Sequence, residues 1–115
     1  MEDILLYFSL KYKGQFDLIY KALERKERVD ESLKEELFKT IKSSYTTIIS
    51  DDYPQQLKYI NCPPCVLYYY GSLSLLDKDC IAVIGKRDCS EYGVQATRVL
   101  VKELVKNDIV IVSGM

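Results

Sequence analysis

A short polar loop in the last third of the sequence carries the residues best suited to chemistry. Gly85, Lys86 and Arg87 follow the apolar run of residues 80–84, and Ser90 stands before a helical pattern. A serine in that position caps a helix, and the free amides of the first helical turn carry a partial positive charge that attracts anions. An arginine can bind two phosphate oxygens at once, so this combination predicts a phosphate site.

The residues around this loop leave two interpretations open. Tyr92 and Gly93 lie in the first turn of the predicted helix, where a glycine lets a ligand or another backbone approach closely. An ordinary strand-to-helix turn would also use glycine for its geometry and would expose the lysine–arginine pair to solvent. The spacing matches neither GxGxxG nor a P-loop, so a dinucleotide or nucleoside triphosphate site has no support.

The elements that must position the loop are a strand, a helix and a second strand. Residues 80–84 form a continuous apolar run, typical of a strand covered on both faces, and residues 109–112 form another. The apolar residues of the helix between them fall on one face: Tyr92, Ala96, Val99, Leu100 and Leu104. Such a βαβ unit makes the two strands parallel. Ligands bind beyond the carboxyl ends of parallel strands, where Ser113 and Gly114 join the loop.

The N-terminal part of the sequence predicts three small helices. Apolar residues recur there at helical spacing in three sets, with Gly14 between the first two and Asp30 as a plausible N-cap of the third. The sets are Ile4, Leu5 and Phe8, then Leu18, Ile19, Ala22 and Leu23, then Leu33, Leu37, Phe38 and Ile41. Residues 1–44 are therefore expected to form a helical N-terminal region.

The fold class that we predict is α/β. Strands are expected at residues 46–49 and 66–70, a short helix at 55–60 and one helical turn at 73–76. Together with the βαβ unit they make residues 45–115 an incomplete Rossmann-like domain with a parallel sheet. One βαβ unit cannot cover both faces of its own sheet, so we expect the chain to be the opening portion of a larger domain.

Composition excludes several classes of protein. A chain of 115 residues with 48% hydrophobic residues is typical of one globular domain, or of one domain and part of another. The net charge of −1 gives no global basic field, so nucleic acid could bind only at a local patch. Without histidine there is no imidazole base. No apolar run is long enough to cross a bilayer, and we see no signal peptide.

Four cysteines without a secretion signal favour reduced thiols and a cytoplasmic location. Cys62 and Cys65 have the CxxC spacing of redox and zinc sites, but a diproline lies between them and a strand follows. Cys80 and Cys89 are too far apart to supply the other half of a zinc site. We therefore expect no metal and no cofactor.

Two further patterns have an ordinary explanation that we favour. The three consecutive tyrosines at residues 68–70 could stack on unpaired bases, but they also fit alternating core and surface positions of a strand. Arg98, Lys102 and Lys106 lie four residues apart on the predicted helix, with acidic residues among them. A solvated helix face is the expected structure for that pattern.

The order and spacing of several motifs over residues 46–115 resemble the DprA/Smf DNA-processing family. The matching motifs are Tyr53-Pro54 with Leu57, Pro63-Pro64 with Val66-Leu67-Tyr68 and Gly71, Ile81-Ala82-Val83-Ile84-Gly85 with Arg87, Ser90 with Tyr92-Gly93, and Ile111-Val112-Ser113-Gly114. Each motif alone is weak, whereas the combination is specific.

The resemblance implies a Rossmann-like domain that binds single-stranded DNA, forms a homodimer and helps to load the RecA recombinase during bacterial transformation. It implies no enzymatic activity. The site residues carried over by position are Gly85, Arg87, Ser90, Tyr92, Gly93, Ser113 and Gly114, with Arg87 on a phosphate. Lys86 stands where the family usually has serine, and it adds a charge to the same nucleic-acid site.

The chain also departs from the family. It ends at Met115, before a segment with Gly-Ile-Asp that the family would continue with, so we expect a truncated or N-terminal piece. Two alternatives remain open. One is an enzyme that binds a nucleotide or a phosphosugar in the same loop, and the other is a non-functional remnant or an interaction module.

Overall fold

Three short helices open the chain in the computed structural model, which describes residues 1–114. They are α1 (Glu2–Lys11), α2 (Phe16–Glu24) and α3 (Glu31–Phe38), which confirms the three sets of apolar residues. Gly14 lies between α1 and α2 with φ +74°, a conformation that glycine adopts without strain. Asp30 caps α3, because its side chain accepts hydrogen bonds from the amides of Ser32 (3.0 Å) and Leu33 (3.2 Å).

An antiparallel hairpin follows the helices. Strand β1 (Ser44–Thr47) pairs with β2 (Val66–Tyr69), so that Thr47 lies opposite Val66. The first strand lies two residues before the predicted 46–49, although the Ile48 amide still donates to the carbonyl of Cys65 (2.9 Å). The predicted helices near residues 55 and 73 are 3₁₀ helices, at Gln55–Tyr59 and Leu73–Asp77.

Helix α1 supplies most of the core around which the hairpin and the other helices pack. Its residues 5–9 are all buried. Tyr7 and Phe8 pack with Ile19 and Ala22 of α2, while Leu5 and Leu6 pack with Val66 of β2. Tyr53 is also buried, and its hydroxyl donates to the carbonyl of Pro64 (2.7 Å), so the buried side chain ties down the diproline loop.

The last part of the chain forms the predicted βαβ unit. Strand β3 (Cys80–Ala82) and strand β4 (Val110–Val112) pair in parallel, and α4 (Glu91–Lys106) connects them. The Val83 amide adds one more hydrogen bond to the pairing, to the carbonyl of Val112 (2.9 Å). The parallel arrangement that the sequence predicts is therefore confirmed.

The described residues do not cover this sheet on both faces, as the sequence analysis expects of one βαβ unit. All three residues of β3 are exposed, with Ile81 at 40%, because one helix is all that this unit has to cover two strands. The predicted apolar face of α4 is also only partly covered. Ala96 and Leu104 are half-buried, whereas Tyr92 and Val99 are largely exposed.

The chain forms two compact units, one covering Met1–Gly71 and one beginning at Ser72. Every buried residue among residues 1–114 lies in the first unit. The sequence predicts a domain boundary between residues 44 and 45. Compactness alone does not test a domain boundary, so this boundary stays a prediction. None of the helices within residues 1–114 is long and apolar enough to span a bilayer.

Fragments of the chain test that division. We expect residues 1–71 alone to unfold cooperatively on heating, because they contain the whole of the buried core. Residues 1–44 alone should not, because they lack Val66 and Tyr53, which belong to that core. Circular dichroism melts of both fragments provide the measurement. A cooperative melt of the 1–44 fragment would instead support the boundary at residue 45.

An ion pair in the first unit gives a pH-dependent stability. Lys11 bonds Glu27, and the Tyr12 hydroxyl donates to the same carboxylate (2.6 Å). These bonds hold the pKa of Glu27 below its ordinary value of 4.5. A lowered pKa in the folded state means that the contribution is present above pH 4.5 and is lost as the pH falls through the folded value.

We therefore expect Glu27→Gln to lower the free energy of unfolding by about 1 kcal/mol at pH 7, with a difference that shrinks below pH 4.5. Urea denaturation of the variant and the parent protein between pH 3 and 7 measures it. Glu24→Gln, an exposed carboxylate on the neighbouring helix α2, is the control. A Glu27→Gln effect that does not change with pH would show that the lost bonds, and not the charge, are responsible.

Candidate nucleic-acid interface

The parallel pairing of β3 and β4 brings two chain segments to one edge of the second unit. Both strands point the same way, so the loop after Val83 and residues 113–114 leave the sheet from the same side. Such an edge is where ligands bind in parallel α/β folds. The edge also meets the beginning of α4, because a parallel crossover returns its helix along the sheet.

Ser90 begins α4 as the sequence predicts. Its backbone is extended (φ −67°, ψ 161°), and its hydroxyl oxygen accepts a hydrogen bond from the Gly93 amide (3.2 Å). The Ser90 carbonyl accepts from the Val94 amide (3.1 Å) and so begins the helical ladder. The amides of residues 91 and 92 precede that ladder, and helix geometry leaves such groups without an intrahelical acceptor. They therefore point toward the loop with a partial positive charge.

An open groove of about 500 Å³ lies between the loop and the first two turns of α4. We call it the helix–loop groove. Its loop side is Val83, Ile84, Gly85, Lys86 and Cys89, and its helix side is Gly93, Val94, Thr97 and Arg98. The volume lies within the range of small-molecule sites. Its lining contains two cations and no carboxylate, so its charge favours an anion.

The structure brings some of the predicted site residues into this groove and leaves others beside it. Gly85, Lys86 and Gly93 line it, whereas the other five predicted residues lie outside the lining. These five are Arg87, Ser90, Tyr92, Ser113 and Gly114, all of them exposed. Ser90 acts on the groove indirectly, through the cap of α4.

Thr97 and Arg98 are lining residues that our site prediction omits. They follow Gly93 and Val94 by four residues, so they lie one helical turn further along the same face. The Thr97 hydroxyl donates to the Gly93 carbonyl (2.8 Å) and is thus bound to its own helix. The signal in the sequence was this spacing of four from the predicted glycine.

The basic residues in the groove and beside it are free of acidic partners within residues 1–114. Among the described residues, the second unit has two ion pairs, Lys78 with Asp108 (2.9 Å) and Lys106 with Glu103 (3.4 Å). None of these four residues lines the groove. Lys86, Arg87 and Arg98 form no such pair among the described residues. Their charge is therefore available to a ligand.

The cysteine pair at residues 62 and 65 shows the features of ordinary thiols. Cys62 is exposed and Cys65 half-buried, and both are free. Burial raises the pKa of the Cys65 thiol, which is opposite to the lowered pKa of a redox-active cysteine. Within the part of the chain that the structure describes, no three metal-ligating side chains come together.

The tyrosines at residues 68–70 differ in their environments. Tyr68 is 39% exposed, although its hydroxyl donates to Ser9 Oγ of α1 (3.2 Å) and partial burial raises its pKa. Tyr69 is half-buried, and Tyr70, just past β2, is 81% exposed. A less exposed tyrosine between two more exposed ones is the alternation that a strand produces.

The parallel βαβ unit, with a groove at the carboxyl edge of its strands, places this protein among the α/β proteins. Comparison with known proteins narrows the class. The profile of the family described as DNA recombination-mediator protein A matches residues 44–115, and the chain belongs to this family. The resemblance to the DprA/Smf proteins is therefore confirmed.

Individual relatives agree with this assignment. DNA processing protein DprA of Streptococcus pneumoniae is 39% identical over 69 residues, which cover 60% of this chain and 24% of that protein. The Bacillus subtilis protein of the same name is 42% identical over 69 residues, 59% of this chain and 23% of the relative. Protein Smf of Borreliella burgdorferi is 34% identical over 113 residues, 98% of this chain and 34% of the relative.

A solved structure shows the same fold. The X-ray structure of DprA from Streptococcus pneumoniae superposes with a TM-score of 0.60 at 26% identity and covers 99% of this chain. The match takes in 44% of the solved chain. This protein spans about a quarter to a third of the length of the three curated relatives named above.

A substitution at Gly93 tests whether the stability of the protein requires glycine at this position. A Cβ at this position would lie 3.4 Å from Cys89 Cβ and 3.6 Å from Ser90 Oγ, which is ordinary contact. We expect Gly93→Ala to leave the free energy of unfolding unchanged or to raise it by up to about 1 kcal/mol, because alanine favours a helix. Urea denaturation followed by circular dichroism measures this change.

Gly71→Ala is the contrasting control, because Gly71 has φ +89° and any side chain there is strained. It should destabilise the protein although its surroundings are empty. If Gly93→Ala were the more damaging variant, the glycine would be needed for packing of the loop on α4, and not for space in the groove.

Proposed function

We propose that the second unit binds single-stranded DNA through its backbone phosphates at the helix–loop groove. The observation that carries the proposal is the lining of that groove, which joins cations to the N-terminal turn of a capped helix and contains no carboxylate. A helix N-terminus accommodates phosphate, and a phosphate backbone carries no sequence information. Binding should therefore be independent of base sequence.

Individual residues have distinct proposed roles. Lys86 provides charge within the groove, and the neighbouring Arg87, exposed and without an ion pair among residues 1–114, takes a phosphate in a bidentate manner. Tyr92 is 82% exposed in the first turn of α4, so its ring is open to an unpaired base. Ser113 and Gly114 border the same edge, after β4.

Membership of the family supports a role in DNA processing during transformation. Two of the matched relatives are named DNA processing protein DprA, and the family description is that of a recombination mediator. We propose a non-enzymatic role in the cytoplasm, with the RecA recombinase as protein partner and a homodimer as the working form. The chemistry of the loop agrees, because Asp88 is the one carboxylate among residues 85–90 and no histidine is present as a base.

A second candidate function follows from the size of the groove. A volume of about 500 Å³ could hold a single nucleotide or a phosphosugar as well as one unit of a strand. In that case the ligand would be a small molecule, and a longer strand would add no affinity.

Titration of a fluorescent oligo-dT at several salt concentrations tests the main proposal. With two or three phosphate contacts, the slope of log K against log salt should be about −1.4 to −2.1. Arg87→Ala should weaken binding several-fold and make the slope shallower by about 0.7, the share of one contact. Equal binding by the variant and the parent protein would contradict the assignment of Arg87.

Two controls complete this experiment. Lys102→Gln removes an exposed cation of α4 that does not line the groove, and it should bind as the parent protein does. Competition with dTMP separates the two candidate functions. Displacement of oligo-dT by dTMP at a similar concentration of nucleotide units would favour the small-molecule ligand, because only a strand gains from contacts beyond one unit.

A further inference from the structure

The phosphate site proposed above assigns no role to Arg98. It lines the helix–loop groove from the helix side, whereas the predicted cations come from the loop side. The sequence pattern favours a solvated face for Arg98, Lys102 and Lys106, but the structure separates the three. Arg98 lines the groove and the other two do not.

The direction of side chains on a helix places the Arg98 guanidinium nearer the loop than its Cα position implies. Cα–Cβ bonds on an α-helix tilt toward its N-terminus, so a long side chain covers the turn before its own. For Arg98 that turn contains Val94, another lining residue, and it leads to the capped end of α4. The charge therefore lies on the side of the groove that a ligand entering from the loop would meet.

No acidic side chain among the described residues pairs with this charge. The residues three and four positions away, where helix ion pairs form, are Val94, Gln95, Val101 and Lys102. Arg98 forms no ion pair with any described residue. By contrast, Lys106 on the same helix is paired with Glu103 (3.4 Å).

Apolar side chains line the same groove as the two cations. Val83, Ile84 and Val94 line it together with Lys86 and Arg98. Apolar side chains cannot hydrogen-bond a phosphate, so an anion must be held by the cations and the free amides of the helix N-terminus, while a sugar or a base can pack against the apolar side chains. This distribution fits a nucleotide unit better than it fits an isolated inorganic anion.

We infer that Arg98 is a second phosphate-binding residue, which grips the strand from the helix side of the groove while Lys86 grips it from the loop side. This inference rests on the proposed function, because it assumes that the ligand is single-stranded DNA. It extends the site from the loop to the second turn of α4. A strand held from both sides lies across the groove rather than along the loop alone.

Arg98→Gln in the full chain tests the inference against Lys102→Gln, the matched change one helical turn further along. With oligo-dT as the probe, we expect Arg98→Gln to weaken binding about fivefold and to make the salt slope shallower by about 0.7, the share of one phosphate contact. Lys102→Gln should change neither quantity. Arg98→Lys should restore the slope and part of the affinity, because it keeps the charge but loses the planar fork.

The outcomes separate this inference from the proposed function. If Arg87→Ala weakens binding but Arg98→Gln does not, the phosphate site stands and the inference is overturned. If Arg98→Gln and Lys102→Gln weaken binding equally, the contribution is a diffuse field of the helix and the inference is again overturned. If the parent protein does not bind oligo-dT, both fail. Circular dichroism of each variant shows whether helix content is preserved.

Discussion

The parallel pairing of β3 with β4 is the constraint from which the functional edge of this protein follows. Two adjacent parallel strands cannot be joined by a tight turn, so the chain must leave the sheet, return through α4 and begin that helix near the end of β3. A helix that begins there needs a cap, which Ser90 provides. The free amides, the loop cations and the residues after β4 consequently share one edge.

The buried core and the candidate binding site lie in different compact units. In the first unit, α1 contacts both core clusters, and a buried tyrosine secures the diproline loop. The second unit carries the candidate site but none of the buried residues among 1–114. Its apolar side chains are exposed on both the strands and the helix, Ile81 and Val99 among them. Free-energy gain from burial is therefore concentrated where no ligand is proposed to bind.

Local patterns in the sequence predicted the parts of the fold that local interactions determine. Helical periodicity located α1 to α4, and side-chain chemistry identified Asp30 and Ser90 as caps. The parallel arrangement followed from the order of elements and the length of the connection. The strand at residues 46–49 was displaced by two, because the position of β1 is set by its pairing with β2, a contact between distant residues.

Prediction of the site reached its limit for a similar reason. The loop residues Gly85 and Lys86 could be found from their place after an apolar run, since that place is visible in the sequence. Thr97 and Arg98 follow Gly93 and Val94 by four residues, but this spacing alone does not show that their face of α4 lines the groove, because that depends on how the helix packs on its sheet. The apolar run of β3 is typical of a strand covered on both faces, but such burial requires a second covering layer, and the described residues provide one helix.

The position of Cys89 has a practical consequence. This free, exposed thiol lines the helix–loop groove, and its Sγ lies 3.7 Å from where a side chain of residue 93 would begin. Once the exposed Cys62 and Cys80 are replaced, maleimide chemistry would attach a fluorophore or a spin label at the rim of the groove, with the half-buried Cys65 left in place. A fluorescent or spin label on Cys89 would then report whether a ligand is bound in the groove.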